Sequence, residues 1–88
     1  MKITYSKSFK KSFKKKIEKN PDLEKNFWNK TELFLKEPYH SNLKTHKLTG
    51  KLKDLWSFRI DYDIRVIFYF TNDNNAVFIS MGSHDEVY

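Results

Sequence analysis

Residues 56–70 read WSFRIDYDIRVIFYF, and the period of their apolar side chains decides the fold. Trp56, Phe58 and Ile60 alternate with Ser57 and Arg59; Ile64, Val66, Phe68 and Phe70 then alternate with Arg65, Ile67 and Tyr69. A two-residue period sends successive side chains to opposite faces of a strand, so the stretch predicts a pair of antiparallel strands joined by the turn IDYDI. Val77, Ile79 and Met81 make a third run after Asn72-Asp73-Asn74-Asn75, a turn signal because Asn and Asp tolerate positive φ. Ile64, Val66, Phe68 and Phe70 are expected to face a core, which turns Arg65, Ile67 and Tyr69 to an open face.

Upstream the period changes. Ile3 and Tyr5 alternate with polar residues in a short opening strand, and Ser6 offers an N-cap. Phe9, Phe13 and Ile17 follow at four-residue spacing, one apolar stripe of a helix whose Lys10, Lys11, Lys14 and Lys15 face elsewhere. Asn20-Pro21-Asp22 reads as a second helix start, with Asn20 as cap and an acid near the positive end of the dipole. Leu23, Phe27, Thr31, Phe34 and Leu35 carry its buried face to about Glu37, before Pro38. The short join predicts an antiparallel hairpin of helices. From Glu37 to Thr49 the chain reads as loop. The expectation is one α+β domain over residues 1–88, in the order β-α-α-β-β-β, with a helical hairpin packed on one face of a small antiparallel sheet.

At 88 residues the chain has room for one modest core, and its eight Phe, five Tyr and two Trp supply much of the burial that a short chain otherwise lacks. Without cysteine, neither a disulfide framework nor a thiolate zinc site can form, which suits a reducing compartment and favours the cytoplasm. The start MKITYSKSF reaches polar residues too early for a signal peptide or membrane span, so no membrane partner is expected. Charge is informative by position. Residues 1–20 hold eight Lys and one Glu, a net of +7, while the other 68 residues sum to −1. That asymmetry points to a polyanion, nucleic acid first, or to a solvated lysine face.

Chemistry-bearing residues collect in three places: His46-Lys47 before the strands, Arg59 to Arg65 around the hairpin, and His84 to Tyr88 at the tail. Gathered in one cleft, they match cleavage of RNA without a metal or other cofactor. A base takes the proton of a ribose 2′-OH, cationic donors hold the phosphate, and an acid protonates the leaving 5′-oxygen. Histidine suits either proton-transfer role, arginine offers phosphate a two-pronged donor, and tyrosine can stack on a base. Plainer readings stand beside these. Arg59 could pair with Asp61 or Asp63, His40 is read as structural, and Trp56 as core. His46, His84 and Asp85 show no recognised metal spacing.

The stretch HKLTGKLKDLWSFRIDYDIRVIFYF followed by MGSHDEVY resembles the RelE/ParE superfamily of toxins from type II toxin–antitoxin modules, most closely the RelE, YoeB and YafQ-type mRNA interferases. The resemblance covers nearly the whole chain. It implies a small toxin that cleaves mRNA, commonly on the ribosome, and is held inactive by an antitoxin. By position it assigns His46, Arg65, His84 and Tyr88 to catalysis, and Arg59 and Asp63 to support of the substrate; Lys47, beside His46, joins the substrate-binding set, and in the toxin reading Lys10, Lys11 and Lys14 dock on ribosomal RNA phosphates. Two departures are visible: IDYDI lacks the histidine that YafQ-like members carry there, and His84 stands where RelE itself has arginine. The division of acid and base between His46 and His84 stays open. ParE-type members act on DNA gyrase instead and generally lack the tail's His and Tyr, so a gyrase poison is the alternative.

Overall fold

A computed structural model describes residues 1–50 and 54–83. Five strands, β1 (Lys2–Tyr5), β2 (His46–Lys47), β3 (Trp56–Arg59), β4 (Ile64–Thr71) and β5 (Asn75–Ser83), join two helices, α1 (Lys7–Lys19) and α2 (Asp22–Lys36), and a single 3-10 turn, Ser41–Leu43. The sheet order is β1-β5-β4-β3-β2. The fold is α+β, with the helices on one face of the sheet, and two features of the sheet correct the sequence reading. β1 pairs with β5 in parallel, so the sheet is mixed: a strand that pairs in parallel needs a long crossover, and the helical hairpin begins it. The stretch read as loop holds β2, a strand of two residues and too short to show a period.

Each helix follows from its local chemistry. The Ser6 hydroxyl accepts from the Phe9 N–H at 3.0 Å and caps α1. Phe9 is buried, and Phe13 and Ile17 pack beside it against the core. Asn20 does not cap α2 as expected; its N–H donates to the Lys16 carbonyl and closes α1. The start of α2 has no side-chain cap bond and relies on Asp22 and Glu24 near the positive end of its dipole. Leu23, Phe27, Thr31 and Phe34 are buried, whereas Leu35 is 40% exposed, because one further residue turns a helix by about 100° away from that stripe.

The core lies between helices and sheet. Phe34 stacks on Phe58 with centroids 4.7 Å apart, and Phe78 meets Phe9, Phe27, Phe34, Phe58 and Phe68. Full burial of each such ring contributes about 1.5–3 kcal/mol. β5 departs from the simple alternation of Val77, Ile79 and Met81. Phe68 pairs with Phe78 and Ile67 with Ser80, leaving Ile79 as an extra residue. This bulge changes the phase of the strand, so Ala76, Phe78 and Met81 enter the core.

Beyond Phe78 the strand has lost β1 as its neighbour, since β1 ends at Tyr5 opposite it. Helix α1 takes over: the Ser12 hydroxyl accepts from the Met81 N–H at 3.1 Å and donates to the Phe9 carbonyl at 3.0 Å. A backbone donor that would otherwise lack a strand partner is thereby satisfied.

Candidate functional site

The face of the sheet away from the helices is organised by register. His46 pairs with Ser57, Ser57 with Ile67, and Ile67 with Ser80, which makes one row across β2, β3, β4 and β5. Two positions along β3, Arg59 pairs with Arg65 and Arg65 with Gly82, making the next row. Alternation puts both rows opposite Phe58, Val66 and Met81, which point into the core. Directly paired residues have Cβ atoms about 4.5–5.5 Å apart and diagonal ones about 7–8 Å, so Arg59 stands beside Arg65 and diagonal to His46, with Arg65 one strand further from the histidine.

His46 is exposed, and its Nδ1 lies 2.8 Å from the Lys44 carbonyl. A carbonyl oxygen can only accept, so in the neutral ring Nδ1 carries the proton and Nε2 presents a lone pair. Lys44 supports this arrangement through a left-handed backbone, φ 53°.

Arg59 is half-buried, and its Nε is buried without a hydrogen-bond partner among the described residues. Arg65 Nη1 donates to the Asp63 carbonyl at a long 3.4 Å. Like charges directly opposite on paired strands repel, and an anion between them relieves the repulsion. The alternative in which Asp61 neutralises Arg59 is not what forms: one Asp61 carboxylate oxygen accepts from the Asp63 and Ile64 N–H groups, both at 3.1 Å, and shapes the turn.

Strand register puts His46, Arg59 and Arg65 on one face of the sheet, and Asp63 lies in the turn before Arg65. Lys47 pairs with Trp56 and so lies on the opposite side of the sheet from His46. Lys10, Lys11 and Lys14 are on α1, across the sheet from the two rows. His84 and Tyr88 lie outside the described residues; Ser83, paired with Ile64, is one position beyond the arginine row. The expectation that Ile67 is open is corrected, for Ile67 is 2% exposed and Ser57 beside it 0%. Sequence reasoning passed over Ser57 and Ser80, which share the histidine's row; their alternation with Phe58 and Met81 is a partial signal, obscured in β5 by the bulge. His40 is structural, as expected, its Nδ1 accepting the Asn42 N–H at 3.0 Å.

A family model described as the bacterial toxin of type II toxin–antitoxin systems, YafQ, matches residues 1–88. The chain belongs to the YafQ toxin family. The expected resemblance to RelE-like type II toxins is thereby established. Among solved structures, the metal-bound toxin from Helicobacter pylori is 26% identical, with TM-score 0.78 over 100% of this chain and 99% of that one. YafQ in the E. coli DinJ–YafQ complex is 24% identical, with TM-score 0.77 and coverages of 98% and 96%. The YoeB/ParE toxin from Agrobacterium tumefaciens is 16% identical, with TM-score 0.77 and coverages of 96% and 99%, a likeness of fold. Comparison with curated protein sequences gives no match. Among the described residues of this YafQ-family toxin, no helix is long and apolar enough to cross a membrane.

Proposed function

We propose that this toxin is an endoribonuclease that cuts mRNA, on the translating ribosome in the cytoplasm, through attack by the ribose 2′-OH. His46 Nε2 exchanges the proton in one half of the reaction, with His84 as its counterpart. The 2′-oxygen bonds to phosphorus, the bond to the 5′-oxygen breaks, and the leaving oxygen takes a proton from the acid. Arg59 and Arg65 hold the phosphate oxygens as charge builds on them, and Tyr88 stacks on a flanking base. The scheme uses side chains alone. The observation that carries this reading is the strand register that pairs Arg59 with Arg65 next to the row headed by His46.

An antitoxin protein is the expected partner, by analogy with DinJ in the E. coli DinJ–YafQ complex. The test is cleavage of ribosome-programmed mRNA carrying one 2′-deoxynucleotide 5′ of the mapped cut. The deoxy substitution should abolish that cut and leave the others. Equal cutting of both messages would exclude 2′-OH attack, and growth arrest without any cuts would favour a protein target such as gyrase.

A further inference from the structure

Lys47 stands apart from the histidine and arginine rows, and its surroundings give it a role of its own. Register pairs it with Trp56, so its side chain rises beside that ring on the helix side of the sheet, with Cβ atoms about 4.5–5.5 Å apart. Trp56 belongs to a cluster of three rings. Tyr39, in the loop after α2, is centred 5.7 Å from Trp56 and 6.0 Å from Phe70, and Trp56 lies 5.3 Å from Phe70. Trp56 and Phe70 are half-buried against the core, and Tyr39 packs on them with 63% of its surface exposed. Its backbone is pinned on both sides: the Thr45 hydroxyl donates to the Pro38 carbonyl, and the His40 N–H donates to the Glu37 carbonyl at 3.0 Å. A flat apolar surface therefore faces solvent in a fixed orientation, with little side-chain entropy left to lose on binding.

Charge and area choose the occupant. Lys44 and Lys47 are exposed and form no ion pair among the described residues, while the Glu37 carboxylate is turned to His40, 3.8 Å away. Three rings offer at most about 150–250 Å² each, and part of that is already covered, so the patch falls short of the roughly 800 Å² per partner of a stable dimer. A nucleobase fits both constraints. Its π-face stacks on the exposed ring, its polar edges stay in water, and the phosphate joined to it meets lysine. β2 is the last strand of the sheet, so an RNA strand that crosses this edge passes from His46 on one face to Lys47 and Tyr39 on the other.

We infer that Tyr39, backed by Trp56 and Phe70 and flanked by Lys47, is a stacking platform for an unpaired RNA base near the cleaved phosphate. The platform rests on the reading of RNA as substrate, but not on which residues cut it.

The test is the affinity of the full-length chain for a fluorescently labelled single-stranded 2′-O-methyl RNA, read by anisotropy. The methyl groups block 2′-OH attack, so binding is measured apart from cleavage. Tyr39→Leu keeps an apolar cover over Trp56 and Phe70 but removes the flat face. It should weaken binding by about five- to 150-fold, the value of one base–aromatic stack, with the melting temperature near that of the wild type. Tyr39→Phe should bind like the wild type, and Lys47→Ala should reduce the slope of log affinity against log salt by about 0.7, one phosphate contact. In message cleavage, Tyr39→Leu should raise KM and leave kcat unchanged. Equal binding by the wild type and Tyr39→Leu, equal losses in Tyr39→Leu and Tyr39→Phe, or no binding by the wild type would overturn the platform. So would a dimer that Tyr39→Leu dissolves in sedimentation while RNA affinity is unaltered, which would assign the patch to a second copy. Binding that depends on Tyr39 in a chain that cuts no message would uphold the platform and defeat the nuclease reading instead.

Discussion

The two basic regions of this protein are built on opposite principles. On α1 stand seven of the eight Lys of the first 20 residues, most of them solvent-exposed. On the sheet face away from the helices the cations are arginines set directly opposite each other by strand pairing, with the Arg59 Nε buried and, among the described residues, unpartnered. A cation on a flexible stem can attract a polyanion from a distance, but it holds no particular atom in place. Cations fixed by backbone register can hold one phosphate while its bonds change. The proposed chemistry therefore rests on register, and charge density on α1 offers attraction alone.

The sharpest way to break this comparison is to remove the histidine. His46→Ala should lower the rate of message cleavage by about 10²–10⁴-fold, the usual contribution of a positioned proton-transfer group, as read by primer extension at equal protein level. Its melting temperature should stay near that of the wild type, since the ring is exposed and, among the described residues, bonds the Lys44 carbonyl two positions away. Next in size, Arg59→Ala or Arg65→Ala should each cost about 10²–10³-fold, and Arg65→Lys should restore only part of the loss because an ammonium lacks the planar fork.

A smaller effect links the two regions. Ser12 belongs to α1 but satisfies Met81 on β5, next to Gly82 in the arginine row. Ser12→Ala leaves that N–H without its partner and should destabilise the fold by about 1–3 kcal/mol, or roughly 4–8 °C of melting temperature per kcal/mol, measured by thermal circular dichroism. The smallest effect is expected on the helix surface: Lys11→Ala should change stability by less than about 0.5 kcal/mol and leave the positions of the cuts unaltered.

Much of this fold was legible from period alone. Phe9, Phe13 and Ile17 announced α1, and Val66 and Phe68 announced the inner face of β4, because burial demands one side chain per turn or per pleat. What escaped the reading depends on partners far along the chain. The parallel pairing of β1 is invisible in four residues, and the bulge at Ile79 overrides an alternation that looked regular. Of the candidate site, His46, Arg59 and Arg65 could be named, but their assembly required β2, whose two residues gain strand character only from pairing with Trp56 and Ser57. The same pairing puts Lys47 on the far side of the sheet, which adjacency in sequence had concealed.

The most direct test is to map transcript 5′ ends after expressing the wild type, His46→Ala and the triple variant Lys10→Ala/Lys11→Ala/Lys14→Ala, with folding and abundance matched. The account predicts new ends with the wild type, their loss in His46→Ala, and the same ends at reduced yield in the triple variant. Undiminished cutting by His46→Ala, or loss of cutting only in the lysine variant, would contradict the proposed placement of the chemistry on the sheet face away from the helices.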